Sequence, residues 1–304
     1  MSHIAVDFET VYTKGDFDIK TLGAAAYVRD PRCDCYLISV SDGKQSWAGH
    51  PNEFNWDSLD GQTLVSHNAA FDSRVYRELV LRGKAPQVEI PDWICTANLS
   101  AFLCMRRDLA RASEFLLGSV VDKSYRLDAD GKTWADMVKE GVAEKVKEAG
   151  RIDALRCWQL WQKFGHLWPE RERKLSKITI DQCATGCALD TVELKRQLVA
   201  AQRALIQADA HLPWVEAGRA PTSTKAIAEE CRKVGIPCPP VKSRDGDEAY
   251  DQWAEDYASY EWVKAYTDYR VINKYITQLE TLLSRTERGI FYYDLLYFGA
   301  HTGR

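Results

Sequence analysis

The hydrophobic pattern of this chain changes period once, near Trp168, and that change limits the architectures open to it. Before it, short β-branched or aromatic runs at Ile4 to Phe8, Ala24 to Val28, Tyr36 to Val40 and Thr63 to His67 predict strands. They alternate with helical patterns over Ala69 to Leu81, Thr96 to Leu103, Leu109 to Leu117, Thr133 to Glu148 and Arg151 to Phe164. Strands interleaved with helices predict an α/β layer on a mixed sheet. After it, helical patterns dominate at Arg171 to Ile180, Leu189 to Ala210, Thr224 to Val234 and Glu248 to Ser284. A stiff G-I-P-C-P-P loop at 235–240 interrupts them, and Gly289 to Phe298 resembles a last strand. At roughly 150 residues per domain, 304 residues predict two domains, an α/β one over 1–167 and a mainly α-helical one over 168–304.

Composition removes several function classes. Hydrophobic residues at 45% and charged residues at 28% exclude a disordered or collagen-like chain. A net charge of −4 argues against a broad electrostatic grip on polyanions, so a nucleic acid would have to be met in a local groove or through a metal. The nine cysteines form no C-x-x-C pair, and reduced thiols in a cytoplasm are expected. The first ten residues carry two acids and no basic, apolar leader, and no stretch of about 18 uncharged apolar residues follows. Neither export nor membrane insertion is expected.

The chemistry lies in four carboxylates. Asp7 and Glu9 alternate with Ile4, Val6 and Phe8, so a strand places both acids on the face opposite those apolar residues. Two unit charges about 7 Å apart repel by roughly 2 kcal/mol at an effective dielectric near 20, and a divalent cation reverses that cost. A solvated strand edge fits a lone D-x-E equally well. Asp72 lies in the first turn of a helix and shares a face with Val75, Tyr76 and Leu79, which fits a buried ligand or an acid favoured by the helix dipole. Asp153 heads the apolar face of Cys157, Leu160 and Phe164, where a capping acid is the alternative. As a set, hard oxygen ligands select Mg²⁺ or Mn²⁺.

The order and spacing of Asp7-x-Glu9, Asn68-x-x-x-Asp72 and the later Asp153 resemble the three motifs of the DEDD 3′-to-5′ exonucleases, in particular the proofreading domains of DNA polymerase I-type (family A) polymerases. The resemblance continues through S-T-K-A-I-A-E-E-C-R-K-V-G-I-P from Ser223, the helix around Tyr269 to Lys274, T-L-L-S-R from Thr281 and the closing L-L-Y-F-G-A-H-T-G-R. These look like the segment joining exonuclease to palm. The resemblance implies a ribonuclease H-like α/β exonuclease domain followed by a helical connector or thumb region. It implies two Mg²⁺ or Mn²⁺ ions held by Asp7, Glu9, Asp72 and Asp153, and hydrolysis of DNA, favouring single strands, from the 3′ end to 5′-mononucleotides. The palm and fingers do not follow Arg304, so polymerisation is not implied. A non-catalytic module binding primer ends and an RNA-trimming exonuclease are the alternatives.

One departure concerns the attacking water. The proofreading subfamily carries a tyrosine four residues before its last aspartate and a sister subfamily a histidine five before; here those positions are Ala149 and Glu148. Glu148, next to a helix break expected at Gly150, is a candidate general base, and equally a member of a solvated helix end. Thr10 and Asn68 fall where the resemblance places groups that hold the terminal nucleotide, with core and capping roles as alternatives. The stripes Trp253, Tyr257, Tyr260 and Trp262, Tyr266, Tyr269 fit either base stacking or helix packing. Gly131-Lys132-Thr133 lacks the glycine of a phosphate loop, Arg126 standing in its place.

Overall fold

The computed structural model describes residues 2–120, 128–240 and 248–299. Arg126 and the 300–304 end of the closing motif lie outside the described residues. The chain divides into two compact units, Met1–Cys187 with Tyr292–Arg304, and Ala188–Phe291.

The first unit is built on a five-stranded mixed sheet. Its strands are β1 (His3–Thr10), β2 (Cys35–Ser41), β3 (Ser46–Gly49), β4 (Thr63–Ser66) and β5 (Trp93–Cys95), in the order β3-β2-β1-β4-β5. β1 is central, antiparallel to β2 and parallel to β4. Each flank of the sheet carries helices. Val6, Phe8, Ile38 and Leu64 pack with Val75, Tyr76 and Leu79 of the helix Ala69–Leu81. On the opposite face Ala5 and Val65 pack with Cys157, Leu160 and Trp161 of the helix Ala143–Phe164. The alternation in I-A-V-D-F-E thus delivers its apolar half to one core and its acids to the other face.

Several elements differ from expectation. Ala24 to Val28 is the helix Ala24–Arg29, because three successive alanines carry the best intrinsic helix propensity while Tyr27 and Val28 still bury. Gly150 is not a break: the helix Ala143–Phe164 runs through it uninterrupted. A Cβ at Gly150 would stand 2.2 Å from Ser39 Oγ and 2.8 Å from a Leu37 methyl, so glycine serves the close approach of helix to sheet. The first unit extends past 167 because the helix Glu170–Thr185 packs on Ala69–Leu81. Residues 292–299 return to the same unit. Arg74 pairs with Asp294 at 2.6 Å, and Trp168 donates to Tyr297 Oη, which donates to Glu172 at 2.7 Å.

In the second unit the helices Thr191–Ala210 and Glu261–Ser284 pack along one another. Asp190 and Ser223 cap helices Thr191–Ala210 and Thr224–Val234 from their N-termini, and Gly235, at φ +77°, ends the latter. Leu212, Trp214, Ile227, Trp253, Trp262 and Tyr266 form its core, so both aromatic stripes serve helix packing. The helix expected over Glu248 to Ser284 is two, Glu248–Asp256 and Glu261–Ser284, separated by a turn that Tyr260 closes onto Tyr257. The strand expected from Gly289 shortens to Ile290–Phe291, paired with Thr286–Glu287. Among the described residues no helix is long and apolar enough to cross a membrane.

Candidate metal centre

Asp7 and Glu9 stand opposite Ser39 and Leu37 on β2, on the face that Gly150 approaches. The helix Ala143–Phe164 lays a stripe of Val146, Gly150, Asp153, Cys157 and Leu160 on that face, so Asp153 sits mid-stripe. The capping reading of Asp153 does not survive, because it lies ten residues beyond Ala143, far from the helix start. It is 2% exposed. One ligand oxygen each of Asp7, Glu9 and Asp153 lies within 4.8 Å of the others. Three carboxylates from a strand and a distant helix thus share one space, Asp153 buried and Asp7 and Glu9 half-buried, and a cation between them would offset their mutual repulsion. The all-oxygen donor set fits a hard divalent ion.

Asp72 is outside that trio. It is 3% exposed, and its carboxylate accepts a short hydrogen bond from the Ser66 hydroxyl. Ser66, at the end of β4, also receives the Asn68 amide at 3.1 Å, and sequence reasoning passed over it. Its signal was positional, a hydroxyl at the end of a strand just ahead of the helix carrying the acid. Burial raises the Asp72 pKa to about 7 despite Ser66 and the Phe8 and Asn68 amides, which favour the charge; Glu9 repels it further. Cys157 is coupled electrostatically to three of the acids: burial raises its thiol pKa most, followed by the charges of Asp7, Asp153 and Asp72.

The Asp72 shift gives a stability prediction. The folded protein binds this proton more tightly than the unfolded chain, so between the ordinary 3.8 and about 7 its contribution declines as pH rises. In chelator, the melting temperature of the protein minus that of Asp72→Asn is expected to fall across this window. A difference that grows with pH in thermal melts would reverse the sign.

The remaining sequence candidates separate. Glu148 is not at the cluster. It precedes Asp153 by five helical residues, about 140° around the axis. Its side chain is 60% exposed and pairs with Arg151 at 2.8 Å. The structure places it on the solvated helix face, so, should the chain cut DNA as the exonuclease resemblance implies, Glu148→Ala is expected to keep turnover within about threefold, as near-neutral surface changes do. Steady-state rates on a single-stranded oligonucleotide check this. The Thr10 hydroxyl is spent on structure, since it meets Tyr27 Oη at 2.7 Å while Tyr27 donates to the Val11 carbonyl. Asn68 is exposed at the N-terminus of the helix Ala69–Leu81, its carbonyl accepting from the Phe71 and Asp72 amides.

No protein-family model matches the chain, and no curated protein matches it in sequence. Among similar solved structures is the polymerase domain of Pol1 from M. smegmatis, in complex with DNA primer-template and dNTP. The two are 13% identical, with a TM-score of 0.59 over 99% of this chain and 50% of that one. This chain therefore spans about half the length of the structure it resembles. The likeness is one of fold.

Proposed function

We propose that the chain is a metal-dependent 3′-to-5′ exonuclease of the DEDD type, its first unit a ribonuclease H-like domain and its second a helical connector or thumb region. The observation that carries this is the meeting of Asp7, Glu9 and Asp153 within 4.8 Å, in the motif order that the resemblance requires. The mixed sheet with acids on its central strand supports the same reading. The likeness to a polymerase domain solved on primer-template favours DNA over RNA as the substrate.

Asp7, Glu9 and Asp153 would hold the cations, with Asp72 completing the set from the other helix, its carboxylate anchored by Ser66. Two Mg²⁺ or Mn²⁺ ions, when bound, acidify water and offset the charge of the phosphate undergoing attack. The protein's share is positional. β1 fixes Asp7 and Glu9, and Gly150 sets the depth at which Asp153 meets them. Asn68, exposed beside Asp72, remains the candidate contact to the terminal nucleotide.

A 5′-labelled single-stranded DNA tests the reading. Stepwise shortening in Mg²⁺ that stops in chelator is expected. A strand retarded but uncut in Mg²⁺ and Mn²⁺ contradicts it and favours a primer-end binding module. A matched RNA oligomer cut faster than the DNA would move the substrate to RNA.

A further inference from the structure

A second polar group on the acid face comes from a register fault in the sheet. Glu9 pairs with Leu37 and the next residue, Thr10, pairs with Cys35, so Tyr36 is the extra residue of a β-bulge on β2. Regular alternation would send Tyr36 to the side of Ile38, into the core with Phe8 and Val75. The bulge turns it over. Tyr36 and Leu37 both pack in the cluster of Val146 and Met137, against Ala149, while Cys35 and Ile38 stay in the opposite core. Bulges beside functional sites commonly re-aim a side chain in this way.

The re-aimed ring is 1% exposed, and among the described residues its hydroxyl has no hydrogen-bond partner. Unsatisfied buried hydroxyls are rare, because each costs about 1–3 kcal/mol. Burial raises the phenol pKa most, followed by the charge of Glu9 and, less, that of Asp7, so the phenol is a neutral donor in the cluster of Leu37, the residue paired with Glu9. Carboxylates already committed to cations leave such a donor to an oxygen arriving with substrate. Ala149, one helical turn before Asp153, packs against the same cluster.

Resting on the nuclease reading, we infer that Tyr36 is the hydrogen-bond donor of this site, its hydroxyl offered to an oxygen of the terminal phosphate or to the water that attacks it. Tyr36→Phe removes only that hydroxyl and keeps the ring against Trp134. The test titrates the full chain and the variant calorimetrically with Mn²⁺ and then with thymidine 5′-monophosphate, records melting temperatures, and measures turnover on single-stranded DNA.

Unchanged Mn²⁺ affinity, an unchanged or raised melting temperature and roughly tenfold weaker nucleotide binding are expected, the size of one charge-assisted hydrogen bond. Equal nucleotide binding with turnover lowered about 100-fold supports the proposal and assigns the contact to the attacking water. Equal binding with equal turnover overturns it. So does a melting temperature lowered by several degrees, which would make the hydroxyl structural. If the wild-type chain cuts no DNA, the nuclease reading falls, and the nucleotide-affinity ratio alone decides Tyr36.

Discussion

Asp153→Asn is expected to lower metal-dependent DNA hydrolysis by at least about 10³-fold while leaving the protein folded. The size follows from losing one of the four carboxylates proposed to hold the cations, where cations contribute several kcal/mol of transition-state stabilisation. The side chain is isosteric and remains mid-stripe on the helix Ala143–Phe164, so packing with Cys157 and Leu160 is kept. Removing one of three clustered negative charges relieves repulsion in the metal-free protein, and the melting temperature in chelator is expected to stay level or rise. Opposite signs in activity and stability distinguish a functional acid from a structural one. Single-turnover rates with Mg²⁺ and melts with chelator provide both readings. A variant retaining a tenth of wild-type turnover would remove Asp153 from the site.

Gly150→Val is expected to cost about 3 kcal/mol of stability, at the upper end for an overpacked core position. For a unit of this size that is roughly a 6–12 °C drop in melting temperature. Glycine inside a helix is itself unfavourable by about 1 kcal/mol relative to alanine, so its presence needs a reason. The reason is distance: an added Cβ meets Ser39 Oγ at 2.2 Å and Leu37 Cδ2 at 2.8 Å. Asp153 lies three residues further along the same helix, so lifting the helix also withdraws its carboxylate from Asp7 and Glu9. Gly150→Ala separates the explanations, since propensity alone predicts stabilisation and close approach predicts loss. A higher melting temperature for Gly150→Ala would refute the close approach.

The sequence exposed whatever depended on local periodicity. The two faces of I-A-V-D-F-E, and the helix Ala69 to Leu81 with Asp72 turned inward, are present as expected. Short elements escaped, because S-W-A-G of β3 and W-I-C of β5 are too brief for alternation to register and exist through pairing with β2 and β4. Gly150 misled because a glycine in a charged stretch, here E-A-G-R, looks the same whether it ends a helix or lets one dock.

The candidate acids could be picked out of the sequence one at a time, but the depth of each could not. Only the docked helix reveals that Asp153 is an interior residue and not a cap, and that Glu148 is turned away from it. Asp72 shows the same limit, since nothing in N-x-x-x-D indicates that Ser66 holds its carboxylate. The bulge at Tyr36 leaves no trace in the sequence, because register is a property of two strands.

The most direct test is diffraction from crystals soaked in Mn²⁺, with anomalous maps calculated at the manganese edge. The account predicts peaks ligated by the carboxylates of Asp7, Glu9 and Asp153, lost in the Asp7→Asn protein. Ordered manganese bound elsewhere while those carboxylates hold none would contradict it.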